Sequence, residues 1–178
     1  MTRATAEVHY GIRRALALEA ANVKLTTAGL DAELRSLDAP ALAAFSSDWQ
    51  AHPGRRVAWP WPDMTSDWRR TRPERFEVSV WSDGHLCALA LGKPAPSAPH
   101  LSVHYLEGNP DPAHPLRGRA TPLVLAAAEA YALALGKTEL RSMDPLPALV
   151  PHYCGSALGF RLVAPPGVTS YCTRRIAM

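Results

Sequence analysis

Arg117-Gly118-Arg119-Ala120-Thr121 stands where a strand-like run, a Pro/Gly-rich loop and a long apolar helix follow one another. The first turn of a helix has unpaired N–H groups and the positive end of the macrodipole, so this order suits a phosphate. Gly118 has no Cβ and lets a ligand approach the backbone. Arg117 and Arg119 add positive charge at the same spot. Other constellations are poorer. His152 and Cys154 lie two apart on a helix and cannot face each other as a nucleophile pair. His85, His100, His104 and His114 match no compact ligand spacing, so no metal is expected. Neither a GxxxxGK[ST] loop nor a GxSxG elbow is present.

The elements that position these residues lie in a chain of 178 residues, long enough for one domain with a real core. Apolar residues make up 47% and charged residues 20%, which fits a globular protein. The net charge of +3 allows an anionic ligand without demanding nucleic acid. The three cysteines form no CxxC pair and read as small buried thiols in a reducing compartment. Arg3, Glu7, Arg13 and Arg14 interrupt any signal sequence, and Leu123 to Leu135 is too short to span a bilayer. The expectation is a cytoplasmic protein with no membrane partner.

Residues 4–23 predict a helix with Val8, Ile12, Leu16 and Val23 on its inner face. A short helix is expected from Thr27 to Leu37, with Leu30, Leu34 and Leu37 inward. Asp38 looks like the N-cap of a third, carrying Leu42, Phe45 and Trp49. A first strand could come from Asn22–Leu25 or Arg56–Trp59. His52 to Pro62 reads as a loop whose Trp59 and Trp61 are candidate walls of a substrate pocket, or equally caps on the core. The basic run Asp67–Arg75 predicts a solvated helix face partnered by Asp67 and Glu74; an acidic or nucleic-acid ligand is the lesser reading.

From Phe76 the texture becomes β. Phe76–Trp81 alternates as a half-buried strand, Asp83-Gly84 is a hairpin turn, and His85–Leu91 is a buried strand. Leu101–Leu106 follows, with Leu101, Val103 and Tyr105 on one face and Ser102, His104 and Leu106 on the other. Thr121-Pro122 starts a helix that Gly136 stops. Thr138–Met143 then forms a strand parallel to the one before the helix, a βαβ unit. A helix over Leu146–Leu158 and strands at Phe160–Val163 and Ser170–Ile176 complete the chain.

From Phe76 onward the chain resembles the GNAT superfamily of acyl-CoA-dependent N-acyltransferases. Pro115-Leu-Arg-Gly-Arg-Ala120 corresponds to that family's Gln/Arg-x-x-Gly-x-Gly/Ala signature. His152-Tyr153 and Leu158-Gly-Phe160 resemble its closing segment. Pro115 stands where the family has Gln or Arg, so Arg117 or Arg119 takes over that contact. Two extra residues separate Tyr153 from Leu158, a shift that turns a helix position by ~200°. The resemblance implies an α/β (α+β) fold. Its sheet would be mixed and mostly antiparallel with flanking helices, 76–178 forming the acyl-CoA core and the mainly helical 1–75 the acceptor side of one domain.

It further implies acetyl-CoA as donor and no metal. The pantetheine would lie along Val103, Tyr105 and Leu106, and the pyrophosphate on Arg117, Gly118, Arg119, Ala120 and Thr121. Tyr153 would protonate the leaving thiolate, and Glu107 or His104 would serve as base. The acceptor would be a primary amine of a small molecule, a peptide or an aminoacyl-tRNA. A homodimer is compatible with this reading. An inert module of the same fold that binds CoA or a protein partner is the alternative.

Overall fold

The structure is a computed structural model, and it describes residues 2–177. Helix α1 spans Arg3–Thr27, capped by the Thr2 hydroxyl, which accepts from the Thr5 amide at 3.2 Å. The helix is where the periodicity predicts it, but it buries the opposite face. Ala6, Ala17, Ala21 and Leu25 are buried, while Val8, Ile12, Leu16 and Val23 are 57–64% exposed. The reason is close packing. Small residues let α1 lie against α4 (Ala120–Ala134), which presents Ala127, Ala128 and Ala132 to the same core. The polar flank of α1 is also committed: Arg14 donates to the Glu7 carboxylate at 2.6 Å and to the Pro73 carbonyl at 2.6 Å.

The helix expected over Thr27–Leu37 is absent. Glu33–Arg35 is instead strand β1, antiparallel to β2 (Phe76–Ser82) with Leu34 opposite Val80. Neither Asn22–Leu25, inside α1, nor Arg56–Trp59 supplies the first strand. Tertiary pairing overrides helical spacing here. The Asn22 amide holds both outward backbone groups of Leu34, at 2.9 and 2.8 Å, and so closes the sheet edge. Leu34 and Leu37 are buried as expected; Leu30 is not. Asp38 does cap α2 (Ala39–Ala44), accepting from the Ala41 amide at 3.0 Å. A single π-helical turn, Phe45–Trp49, follows and buries both aromatics. Helix α3 (Trp61–Thr71) starts within the stretch read as a loop.

The sheet has seven strands in the order β1-β2-β3-β4-β5-β7-β6. β3 is His85–Pro94, β4 His100–Gly108, β5 Glu139–Met143, β6 Arg161–Val163 and β7 Tyr171–Arg175. Among the described residues only β4 and β5 run parallel, joined through α4. β2 is buried on both faces rather than half-buried, since α1 and α4 cover one side and α2 and α3 the other. Asp83 and Gly84 both have positive φ, 47° and 71°, as a tight hairpin requires. Gly136, at φ 70°, ends α4: its amide donates to the Leu133 carbonyl and that of Lys137 to Ala132.

Two further expectations change. The segment after β5 is a 3₁₀ turn (Pro147–Leu149) and a short helix α5 (Val150–Cys154), broken by an extended Gly155. Pro147 and Pro151 remove donors that a longer helix needs. The basic run is not a solvated face. Arg75 is 5% exposed and shares the buried Glu77 with Arg69, at 3.0 and 3.1 Å, and reaches Glu7 at 2.9 Å. Only the Arg70–Asp67 pair is exposed as expected. Cys87 and Cys172 are buried, but Cys154 is exposed.

Candidate functional site

The site grows from an irregularity in β4. Leu91 of β3 pairs with Tyr105 and Gly92 with Val103, so His104 is an extra residue with no partner: a β-bulge. Gly92 makes it sterically feasible. A Cβ there would lie 2.3 Å from the Ser102 carbonyl oxygen. The bulge corrects the expected alternation. Leu101 and Val103 point into the core with α4, whereas His104 and Tyr105 both face α3, their rings 5.8 and 5.9 Å from that of Trp68. Leu106 returns to the α4 side and Glu107 to the α3 side.

The same point is where β4 leaves β5. Their pairing runs from His100 opposite Glu139 to Val103 opposite Ser142 and stops, while β4 continues to Gly108. The backbone edge from His104 onward is therefore unpaired on the β5 side. A fork opens, of the kind that takes an extended chain as an added strand.

Tyr153 and His104 flank this fork. Tyr153, from α5, is 4% exposed and packs edge-on to Phe160 at 5.7 Å. Burial pushes its phenol pKa up; the hydroxyl of Ser142, the β5 residue at the fork, acts the other way. The phenol is thus held protonated. His104 lies on the opposite face of the sheet. Burial, with the charges of Lys93, Arg72 and His100, lowers its pKa to about 4. Its imidazole is neutral near pH 7 and carries a lone pair.

Glu107 is otherwise engaged. It is 6% exposed, and Arg55 binds it with two nitrogens at 2.7 and 3.0 Å. The indole N–H of Trp61 donates to it at 2.7 Å. Three donors occupy most of the carboxylate's lone-pair directions and hold it in an ion pair. Trp61 itself is wholly buried, a core residue rather than a pocket wall. Trp59 is half-buried and meets the Tyr105 ring at 5.1 Å.

At the far end of β4, Gly118 has φ +74° and open space where a side chain would be. α4 starts at Ala120, with Arg119 as N-cap and Thr121 within its first turn rather than capping it. The amides of Arg117, Arg119 and Ala120 donate to the carbonyls of His114 and Leu116 within the turn. Among the described residues, those of Gly118 and Thr121 make no such bond. Arg117, Gly118 and Arg119 are exposed, so no side chain plugs the turn. Among the described residues no group of three or more His, Cys, Asp or Glu side chains could hold a metal, and no helix is long and apolar enough to cross a membrane.

Sequence reasoning missed Gly92, Arg55 and Ser142. A glycine inside an apolar strand was a signal for a bulge. Nothing local marks Arg55 or Ser142, whose partners are distant in the chain.

No protein-family model and no curated protein matches the sequence. Solved structures do. The chain is similar to the ribosomal-protein-S18-alanine N-acetyltransferase of Escherichia coli, at 16% identity over 83% of this chain and 95% of that one, TM-score 0.56. It is similar to Ard1 of Thermoplasma volcanium, at 10% identity over 84% and 100%, TM-score 0.60. A third is a GNAT superfamily phosphinothricin acetyltransferase of Sinorhizobium meliloti, solved with acetyl-CoA, at 15% identity over 83% and 89%, TM-score 0.56. At such identities the likeness is one of fold. The seven-stranded, mostly antiparallel sheet with its flanking helices is what these neighbours overlay: this chain has the fold of the GNAT-superfamily acetyltransferases.

Proposed function

We propose that this chain transfers an acetyl group from acetyl-CoA to a primary amine by direct attack. The carrying observation is the fork, where β4 bulges and parts from β5 between a buried phenol and a neutral imidazole. The pantetheine arm bonds the freed edge along Tyr105 and Leu106, starting from Val103, where the pairing with β5 stops. The diphosphate takes the free amides of Gly118 and Thr121, with Arg117 and Arg119 beside it. The amine nitrogen attacks the thioester carbon, His104 accepts the amine proton, and the C–S bond breaks. The departing thiolate takes the proton of Tyr153. Trp59 lines the acceptor side with Tyr105. Glu107 holds the loop before α3 against β4 and takes no proton. Similar structures solved with coenzyme A or acetyl-CoA support the choice of donor.

The test is calorimetric titration with CoA, then thiol release from acetyl-CoA over amines, peptides and aminoacyl-tRNA. Binding plus release with at least one amine is expected. No binding to CoA overturns the reading. The inert-module reading draws on one observation, the internal bonds of three turn amides. Binding with no release from any amine would select it.

A further inference from the structure

We infer that the acceptor is a small amine that also carries an anionic group, a carboxylate, phosphinate or phosphate, held in a cationic cavity beneath α3. The inference rests on the acetyl-transfer reading and adds the substrate class. A cavity of about 390 Å³ lies on the α3 face of the sheet. It runs from His104 and Met143, at the fork, past Ser102 to His100 at the start of β4.

Three cations line it, Arg72, Lys93 and Arg141, against one carboxylate, Glu74. Arg141 is already committed: it pairs with Glu139 at 2.7 Å and lies over the Tyr171 ring. Arg72 and Lys93 make no ion pair among the described residues. Arg72 stacks on Trp68 with its guanidinium 5.1 Å from the ring, and its Nε is buried without an acceptor. Nδ1 of His100 is buried without a partner in the same cavity.

A buried donor left unpaired is destabilising, and a charged one more so. Arg72 Nε, an obligate donor beside an unpaired lysine, needs an acceptor, and among the described residues no side chain supplies it; His100 Nδ1, donor or acceptor by tautomer, lies unpaired in the same cavity. The same charges act on His104, so they share the space where the amine must stand. A plain ammonium would be repelled there; an amine bearing its own anion would not.

Distance sets the size of the ligand. Lys93 pairs in register with Ser102, two residues before His104. At about 3.3 Å per strand residue, the base and the lysine stand ~7 Å apart along β4. Amine and anion separated by a few bonds would reach both, as in a short ω-amino acid.

The experiment is thiol release from acetyl-CoA with matched pairs: 4-aminobutyrate against 4-aminobutyramide, and O-phosphoethanolamine against ethanolamine. We expect kcat/KM at least tenfold higher for the anionic member of a pair. Lys93→Gln should bring that ratio close to one through KM, with Arg72→Gln as the second variant and the thermal midpoint checking the fold of each. Neutral amines turned over as fast as anionic ones, or a ratio unmoved in both variants, would overturn the inference alone. No release from any amine would overturn the acetyl-transfer reading, and this inference with it.

Discussion

Tyr153 and His104 approach the fork from opposite faces of the sheet, and burial shifts the proton affinity of each, which suits the proposed roles of acid and base. A buried phenol keeps its proton and can give it to a thiolate. Tyr153→Phe removes only the hydroxyl, so the packing against Phe160 survives. Thiol release should fall about 100-fold in kcat with KM for acetyl-CoA little changed, the usual scale of one proton donor. An unchanged kcat would remove Tyr153 as the acid. Glu107 is the opposite case, a carboxylate chosen on the sequence as a base and found clamped by Arg55 and Trp61. Glu107→Gln leaves the half-buried Arg55 without its counter-charge and should lower unfolding stability by about 2 kcal/mol, read by denaturant melts. A stable variant with no turnover would instead restore Glu107 as the base. The clamp on Glu107 is not legible locally, since Arg55 lies 52 residues from it in the chain.

Among the elements, β4 carries most of the proposed site, and its bulge depends on Gly92. Gly92→Ala would place a methyl 2.3 Å from the Ser102 carbonyl. The backbone must shift to admit it. We expect a loss of at least about 2 kcal/mol, on the overpacking scale, together with weaker CoA binding. A variant of native stability and native CoA affinity would show that the bulge does not hold the fork. Helices were read well where a cap or stop residue marked them, as at Asp38 and Gly136. They were read poorly where burial was decided by a partner. The leucines around β1 fit helical spacing, while the edge of β2 that makes it a strand leaves no mark on that stretch.

For the molecule as a whole, α1 shows which face packing selects. Ala17→Leu should cost about 2 kcal/mol, because α1 and α4 leave no room. Ile12→Ser, on the exposed stripe, should change stability by less than about 0.5 kcal/mol. Chemical denaturation of both variants decides it, and a larger effect at Ile12 would mean the other face is the packed one. Acid should also unfold the protein in a predictable window. The His104 pKa is about 4 in the fold against 6.5 for a free histidine. Above pH 6.5 both states are neutral there and nothing is lost. As pH falls from 6.5 toward 4 the unfolded chain takes the proton first, so stability drops, by about 3 kcal/mol at full protonation of the unfolded state. His104→Gln should flatten that part of the stability–pH curve, measured by thermal melts; an unchanged slope would mean that His104 is not buried as a neutral group.

What the sequence determined by itself was local. Hairpin, cap and stop residues, and the glycine between two arginines before an apolar helix, each act within a few residues of backbone, so the βαβ unit and the exposed turn before its helix could be read from the chain. The tertiary structure alone decided the rest: which face of α1 is buried, that β1 is a strand, that Glu107 is filled, and that Arg72, Lys93 and His100 share one cavity with His104. Those outcomes depend on which distant side chains meet and how closely two surfaces can approach, and neither is a property of any single stretch.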